Sequence, residues 1–450
     1  MTTNRPGKFH AACIAGFFAA AISVSHAQTY TDLYNFDGTH GATPSYPQLL
    51  AQGRDGDLYG TTLDGGPRGL GVVFRVTPGG IPRVMHDFVG SDGAHPQSGL
   101  TLGRDGDFYG TTAMGGANHS GTVFKITPTG DLTTLYAFTG GADGGSPFTP
   151  PIQATDGNFY GTTGTGTSYK ITLTGKFVLL GTVPGGASVA PLLQAADANF
   201  YGTTVGGGDP GYGTVFKLMP NGTATTIYNF DITHGSAPFA PLIQLSDGNF
   251  YGTASTGGAT GFGVLFKLTP FGAITILHNF DRMYVPIAGL VETANGNFYD
   301  VVSANGKGGV YGTLFLFAPD GAYSTLYSFI DTGGSFPRST PTQHTNGSIY
   351  GLTELGGTDN LGVVYSFNLG LTPFVRLLPG IGTVGETAEI LGQGFTGTTA
   401  VSFNGTAATF NVVSDTYLTA TVPSGATTGV VSVTTPGGVL NSNQAFQVEP

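Results

Sequence analysis

An all-β fold assembled from repeated four-stranded sheets is what this sequence predicts, and three observations predict it. A tyrosine-centred phrase recurs seven times at near-constant spacing. Each period holds four short runs of strand-forming residues divided by turn signals. The 76 Gly and 27 Pro among 450 residues are about twice the usual share and disfavour long helices. Only 10% of residues are charged, while 40% are apolar and 12% aromatic, enough core material to exclude an intrinsically disordered chain. The glycines do not fall every third residue, which excludes collagen.

At the N-terminus, Arg5 and Lys8 precede an apolar stretch from Ala11 to Val24, and Ser25-His26-Ala27 forms a small-residue cleavage site before Gln28. This pattern predicts a secretory signal peptide over 1–27. The apolar stretch is too short for the roughly 20 residues of a spanning helix. Cys13 is the single cysteine and lies inside the leader, so the mature chain is expected to hold no disulfide, thiolate metal site or cysteine nucleophile. Loss of the leader shifts the net charge from -11 to about -13. Such a surface repels phosphate backbones, so nucleic acid is not an expected partner, and no later segment approaches the length of a membrane span.

The repeated phrase runs from DGDLYGTT, ending at Thr62, to NGSIYGLT, ending at Thr353. Its tyrosines are Tyr59, Tyr109, Tyr160, Tyr201, Tyr251, Tyr299 and Tyr350, spaced by 50, 51, 41, 50, 48 and 51 residues. A period of that length suits the blade of a propeller. A short apolar piece such as PQLLA or PLIQL precedes each phrase; runs such as GTVFKITP and then LYAF follow it. Adjacent apolar residues in these runs predict sheets buried on both faces, with the repeated Tyr and Phe packed between blades.

The two ends of the array decide between a ring and an open solenoid. The chain enters with the fourth-strand phrase alone, Thr29 to Phe36, and leaves after a third-strand phrase, Gly362 to Phe367. A ring would complete its last blade with the displaced strand and hide both edges; a solenoid would need polar capping repeats, which the sequence lacks. The prediction is therefore a seven-bladed β-propeller of four-stranded blades over 28–368, closed by the N-terminal strand.

Alternating strand direction places the turns after first and third strands on one face, and the connections after second and fourth strands on the other. The first set is short, built of DG, NG and TPxG. The second holds long glycine-rich loops, including Leu63 to Gly71, Ala113 to Gly121, Glu354 to Gly362 and Asp37 to Pro44. Any ligand face is expected there. His40, His95 and His234 occupy similar loop positions on it, with Asp64, Glu354 and Asp359 as further candidate ligand-face residues. Histidine is a common metal ligand, but these three belong to different blades, and no carboxylate is read beside them at a fixed spacing. Asp209 and Asp300 are also read as candidates for the ring mouth.

The DxD pairs Asp55/Asp57 and Asp105/Asp107 suggest calcium at first sight. Equivalent positions elsewhere hold Asn, as in Asp156/Asn158 and Asn295/Asn297, so a turn role is the expected one. Gly-x-Gly-x-x-Gly occurs at Gly206/Gly208/Gly211, Gly380/Gly382/Gly385 and Gly392/Gly394/Gly397, but none opens an expected helix. No catalytic, cofactor or metal residue is assigned.

The YGTT phrases, glycine loops and GTVFK(I/L)TP phrases over 29–368 resemble the choice-of-anchor tandem repeat GloVer-containing proteins. The resemblance implies an exported bacterial protein and no defined catalytic activity. Blade three departs from the pattern by its shortened loop, Gly164 to Thr167, and blade six by Asp300 where Gly is usual. No anchor helix is expected at the C-terminus. Over 373–450, ILGQGF, AVSFNGTAA, LTATVP and GVVSVTTPGG resemble an IPT/TIG domain, which implies an immunoglobulin-like β-sandwich used as a spacer or adhesive unit. Asn404-Gly405 predicts a hairpin.

Two functions follow as expectations. One is an exported, non-catalytic scaffold, secreted or extracytoplasmic, that contacts a protein or glycan at the cell surface. The alternative is an extracellular hydrolase or lyase with its site at the mouth of the ring; glycosidase chemistry would need paired carboxylates there.

Overall fold

The computed structural model describes residues 28–44, 50–281, 284–293, 295–304, 309–318 and 322–449. The leader expected over 1–27 lies outside them.

Blade two shows how the phrases fold. Its strands are Thr101–Leu102, Phe108–Thr112, Thr122–Ile126 and Leu132–Ala137, paired antiparallel in sequence order. Val, Ile, Phe, Tyr and Thr suit the pleat, and the turns between them carry Gly106 and Gly130 at positive φ. Phe108 pairs with Ile126 and Thr112 with Thr122, while a register shift interrupts the third and fourth strands between Val123 and Phe124. The same shift precedes the third-strand aromatic of blades one, four, five and six, at Phe74, Phe216, Phe266 and Phe315. Such a bulge adds local twist at a fixed point.

Gly110 shows why YG recurs: a Cβ there would lie 2.5 Å from Phe124 Cζ, across the strand pair. Blade six has Asp300 at this position, opposite Phe315. Asp300 is fully buried inside the blade and does not face the ring mouth, contrary to the expectation from sequence. Its Oδ1 accepts from the Val301 amide at 2.7 Å and its Oδ2 has no partner, so burial pushes its pKa well above the usual carboxylate range.

Among the described residues, the repeat array forms seven sheets; five have the expected four strands, and blades six and seven each gain a short fifth strand, Tyr284–Val285 and Ser335–Pro337. The N-terminal strand Thr29–Asn35 pairs antiparallel with Val363–Asn368, from Thr29↔Asn368 to Asn35↔Val363. Its register shifts between Asp32 and Tyr34, the bulge that marks every other fourth strand. The seventh sheet is thus assembled from both ends of the array.

Between sheets, the tyrosine of one phrase packs against the aromatic residue that precedes the next tyrosine, stacked in the first two pairs and tilted in the next two. Tyr59 meets Phe108 at 4.0 Å between ring centroids, Tyr109 meets Phe159 at 3.8 Å, Tyr160 meets Phe200 at 4.2 Å and Tyr201 meets Phe250 at 4.3 Å. Each such pair contributes about 0.5–1.5 kcal/mol beyond its buried area. At the last two junctions the partner is aliphatic: Tyr299 packs with Ile349, and Tyr350 with Leu58 of blade one. Tyr350 of blade seven and Leu58 of blade one thus share one buried cluster.

Residues 376–449 fold into a sandwich. One sheet runs Arg376–Leu378, Thr387–Leu391, Tyr417–Thr421 and Phe410–Ser414; the other runs Thr406–Ala408, Ala400–Phe403, Val431–Thr435 and Gly438–Asn441. Phe395, Phe403, Leu418, Val433 and Phe446 fill the space between them. The hairpin falls at Asn404-Gly405, both at positive φ as a tight two-residue turn requires. No helix among the described residues is long and apolar enough to cross a membrane.

Candidate functional site

Four of the innermost strands carry a feature hidden in the apolar phrases: a glutamine, Gln52, Gln153, Gln194 or Gln244, that fastens one blade to its neighbour. Gln153 Oε1 accepts from the Arg104 amide at 2.8 Å, Gln194 Oε1 from Thr155 at 2.9 Å and Gln244 Oε1 from Ala196 at 2.9 Å. The series crosses the junction of blades seven and one, where Gln52 Oε1 accepts from Thr345 at 3.1 Å. Two further contacts seal that junction: Thr342 Oγ1 donates to the Leu50 carbonyl at 2.9 Å, and His344 Nε2 lies 2.8 Å from the Gly56 carbonyl oxygen. Burial lowers the pKa of His344 to about 4. The neutral ring donates to Gly56.

The short-turn face is where the second domain docks. Arg54, in the first turn of blade one, pairs with Glu389 at 2.7 Å and lies over the Tyr417 ring at 4.7 Å. Thr416 Oγ1 donates to the Arg54 carbonyl at 2.7 Å, close enough that a Cβ on Gly56 would lie 2.9 Å from Thr416 Cγ2. Gln393 Nε2 donates to Thr345 Oγ1 at 2.9 Å. The DxD turns also lie on this face, and their carboxylates are already engaged. Asp55 accepts from the Asp57 amide at 3.1 Å and from the Tyr59 hydroxyl at 2.7 Å. Asp197 accepts from Tyr201 at 3.0 Å and pairs with Lys217 at 2.8 Å. The burial that raises the Asp197 pKa is outweighed by these partners and Asn199, which hold it down at about 2.

The loop face is the opposite one, and of the six candidate residues from sequence that sit there, Asp64 and His95 come together while the other four stand apart. Asp64 and His95 meet, Oδ1 to Nδ1 at 3.2 Å, and Thr43 Oγ1 donates to Asp64 at 2.8 Å. Glu354 is paired with Arg338 at 2.7 Å, and Asp359 is exposed in its loop. His40 lies 2.7 Å from Asp37, and His234 lies 2.9 Å from Asp231. This corrects the reading that no carboxylate accompanies the histidines at fixed spacing: Asp37-Gly-Thr-His40 and Asp231-Ile-Thr-His234 share one. In both, the aspartate also accepts from the histidine amide, at 2.8 and 2.7 Å. Burial works against ionisation of Asp37, but its bonds to His40 and Thr39 prevail and hold its pKa at about 2. Each pair orders its own loop. Among the described residues no group of three or more His, Cys, Asp or Glu is placed to hold a metal ion.

Residues 19–173 and 163–309 match the Gloeobacter/Verrucomicrobia repeat, and residues 375–448 match the IPT/TIG domain. No curated protein matches the chain. Among solved structures, a streptogramin B lyase aligns with a TM-score of 0.53 at 13% identity, over 76% of this chain and 97% of its own. The extracellular domain of a protein described as a hybrid two component system from B. thetaiotaomicron aligns with a TM-score of 0.52 at 9% identity, over 95% of this chain and 60% of its own. The WD40 β-propeller domain of Doa1 aligns with a TM-score of 0.50 at 13% identity, over 75% of this chain and 96% of its own. At such identities the likeness is one of fold. With its repeat matched over well more than half its length, the chain belongs to the Gloeobacter/Verrucomicrobia repeat family and carries a C-terminal IPT/TIG domain.

Proposed function

We propose that this protein is an exported interaction scaffold that works outside the cytoplasm and presents its loop face to a protein or glycan. The observation that carries this reading is the docking of the second domain on the short-turn face through Arg54, Glu389, Tyr417 and Thr345. That leaves the glycine-rich loops as the open surface, and loops held on a rigid scaffold are where binding residues concentrate. The leader pattern over 1–27 supports export, and His40, His95, His234, Asp64, Glu354 and Asp359 are the polar groups available on the loop face. Their carboxylates and rings are spent on loop-ordering pairs or stand singly, which favours recognition over the two-carboxylate chemistry of the alternative enzyme.

A glycan array and a capture assay on surface extracts test this with mature protein and with the double variant His40→Ala/His234→Ala. Binding that weakens in the variant and persists when the second domain is altered supports the reading. Turnover of a captured glycan, or binding insensitive to the loop face, overturns it.

A further inference from the structure

A cavity of about 320 Å³ lies where the second domain meets the inner strands of blades five and six. Its wall brings together Arg376, Asn443 and Gln444 from one domain and Gln244 and Glu292 from the other. The volume falls at the lower end of the range for small-molecule sites, roughly 300–1,000 Å³.

Two of these groups are charged and uncompensated. Arg376 donates to the Gln343 carbonyl of blade seven, yet among the described residues no carboxylate forms an ion pair with it. Burial alone lowers its pKa, to about 10. Glu292 has no cation in ion-pair contact among the described residues, and burial followed by the charge of Asp247 raises its pKa. Although both line one cavity, the two do not pair with each other. A part-buried charge without a counter-ion is costly, and a guanidinium is shaped to take a carboxylate through two parallel hydrogen bonds. Glu292 offers acceptor oxygens to hydroxyl donors, and the Asn443 and Gln444 amides add neutral polar contacts.

We propose that this inter-domain cavity binds a small hydroxyl-bearing carboxylate the size of an acidic monosaccharide, its carboxylate on Arg376 and its hydroxyls donating to Glu292. Because each domain supplies one of the two recognition groups, the bound acid fixes the second domain to the ring. The site lies on the short-turn side, away from the loop face, and its existence does not depend on what the loop face binds.

Isothermal titration of the mature full chain with glucuronate and galacturonate, beside glucose and acetate, tests the proposal. At least one uronate is expected to bind with a stoichiometry of one, and glucose and acetate about tenfold or more weaker. Arg376→Gln is expected to remove the heat of binding, and Glu292→Gln to weaken affinity by about tenfold while leaving the Arg376 contact to blade seven in place. Should Arg376→Gln fail to fold, Arg376→Lys keeps the charge without the planar fork and is expected to bind several-fold more weakly. No heat with either uronate, equal binding of glucose, or unchanged affinity in the folded Arg376 and Glu292 variants each overturn the site.

Discussion

Gln52 of the first blade and Thr345 of the seventh hold each other twice: Gln52 Nε2 donates to Thr345 Oγ1 at 2.7 Å, and the Thr345 amide donates back to Gln52 Oε1 at 3.1 Å. Both residues are buried. Gln52→Leu leaves the buried Thr345 amide without its acceptor, while the Thr345 hydroxyl keeps Gln393, at a cost of about 1–3 kcal/mol. Urea unfolding is expected to show that loss; an unchanged midpoint would mean that the junction is not maintained by this pair.

Tyr30 makes the N-terminal strand adhere. Its ring stacks on Tyr327 at 3.9 Å and lies 5.7 Å from Tyr365, and its hydroxyl donates to the Gly333 carbonyl. Tyr30→Ala is expected to lower stability by about 3 kcal/mol. Deleting residues 28–36 uncovers the edge of Val363–Asn368 and is expected to give oligomers in size-exclusion chromatography. A monomeric, fully stable deletion would contradict the role given to this strand.

Asp300 should cost stability at neutral pH. Its folded pKa is raised by burial, so the proton is held more tightly in the native state, and stability is lost as pH rises above the unfolded value near 4. Asp300→Asn keeps the shape without the charge and is expected to raise the melting temperature at pH 7 by a few degrees, about 1–2 kcal/mol, with a smaller gain at pH 4. A variant less stable than the parent at pH 7 would count against the buried carboxyl as a liability.

His344 works in the opposite direction. Its folded pKa, about 4, lies below the unfolded value near 6.5, so the unfolded chain takes up the proton first, and stability falls as pH drops from about 6.5 to 4. His344→Gln is expected to flatten that limb of a melting-temperature profile while lowering stability at pH 7. A parent profile level across this range would refute the assignment.

Docking of the second domain rests on Arg54. A double-mutant cycle on Arg54→Ala and Glu389→Ala is expected to give a coupling of about 1–2 kcal/mol, larger than for an exposed pair because both side chains are mostly buried. Limited proteolysis between 368 and 376 should quicken in either variant. Coupling near zero would show that the contact does not hold the domains together.

What could be read from sequence follows from the range of each interaction. Strands, turns and the repeated four-stranded sheets were legible because the phrase repeats seven times, so each local signal is confirmed by its copies. The stacking of Tyr109 on Phe159 was legible as core for the same reason. Less visible was Gln153, one polar residue inside an apolar phrase, whose partner lies in the previous blade, 49 residues away. An aspartate three residues before the histidine stood in plain sight in all three loops, as Asp37/His40, Asp92/His95 and Asp231/His234, but only two of the three pair: Asp92 turns to His86 and the Val89 amide, and His95 finds its carboxylate in Asp64 of another loop. Asp300 was misplaced because a carboxylate's preference for water argues for the ring mouth, although the copies align it with Gly110 inside a strand read as buried on both faces. Arg54 and Glu389 are separated by 335 positions, beyond the reach of any local pattern.

The pairing of Thr29 with Asn368 sets how the molecule yields to tension. In an antiparallel pair these two residues lie side by side, at the start of the mature chain and at the point where the chain leaves for the second domain. Traction on the second domain against the first residues of the mature chain therefore peels the ladder one rung at a time from Thr29 toward Asn35, where a shearing load would have to break all rungs together. The clasp is also the last to engage during synthesis, since its two halves are the first and final strands of the array to leave the ribosome.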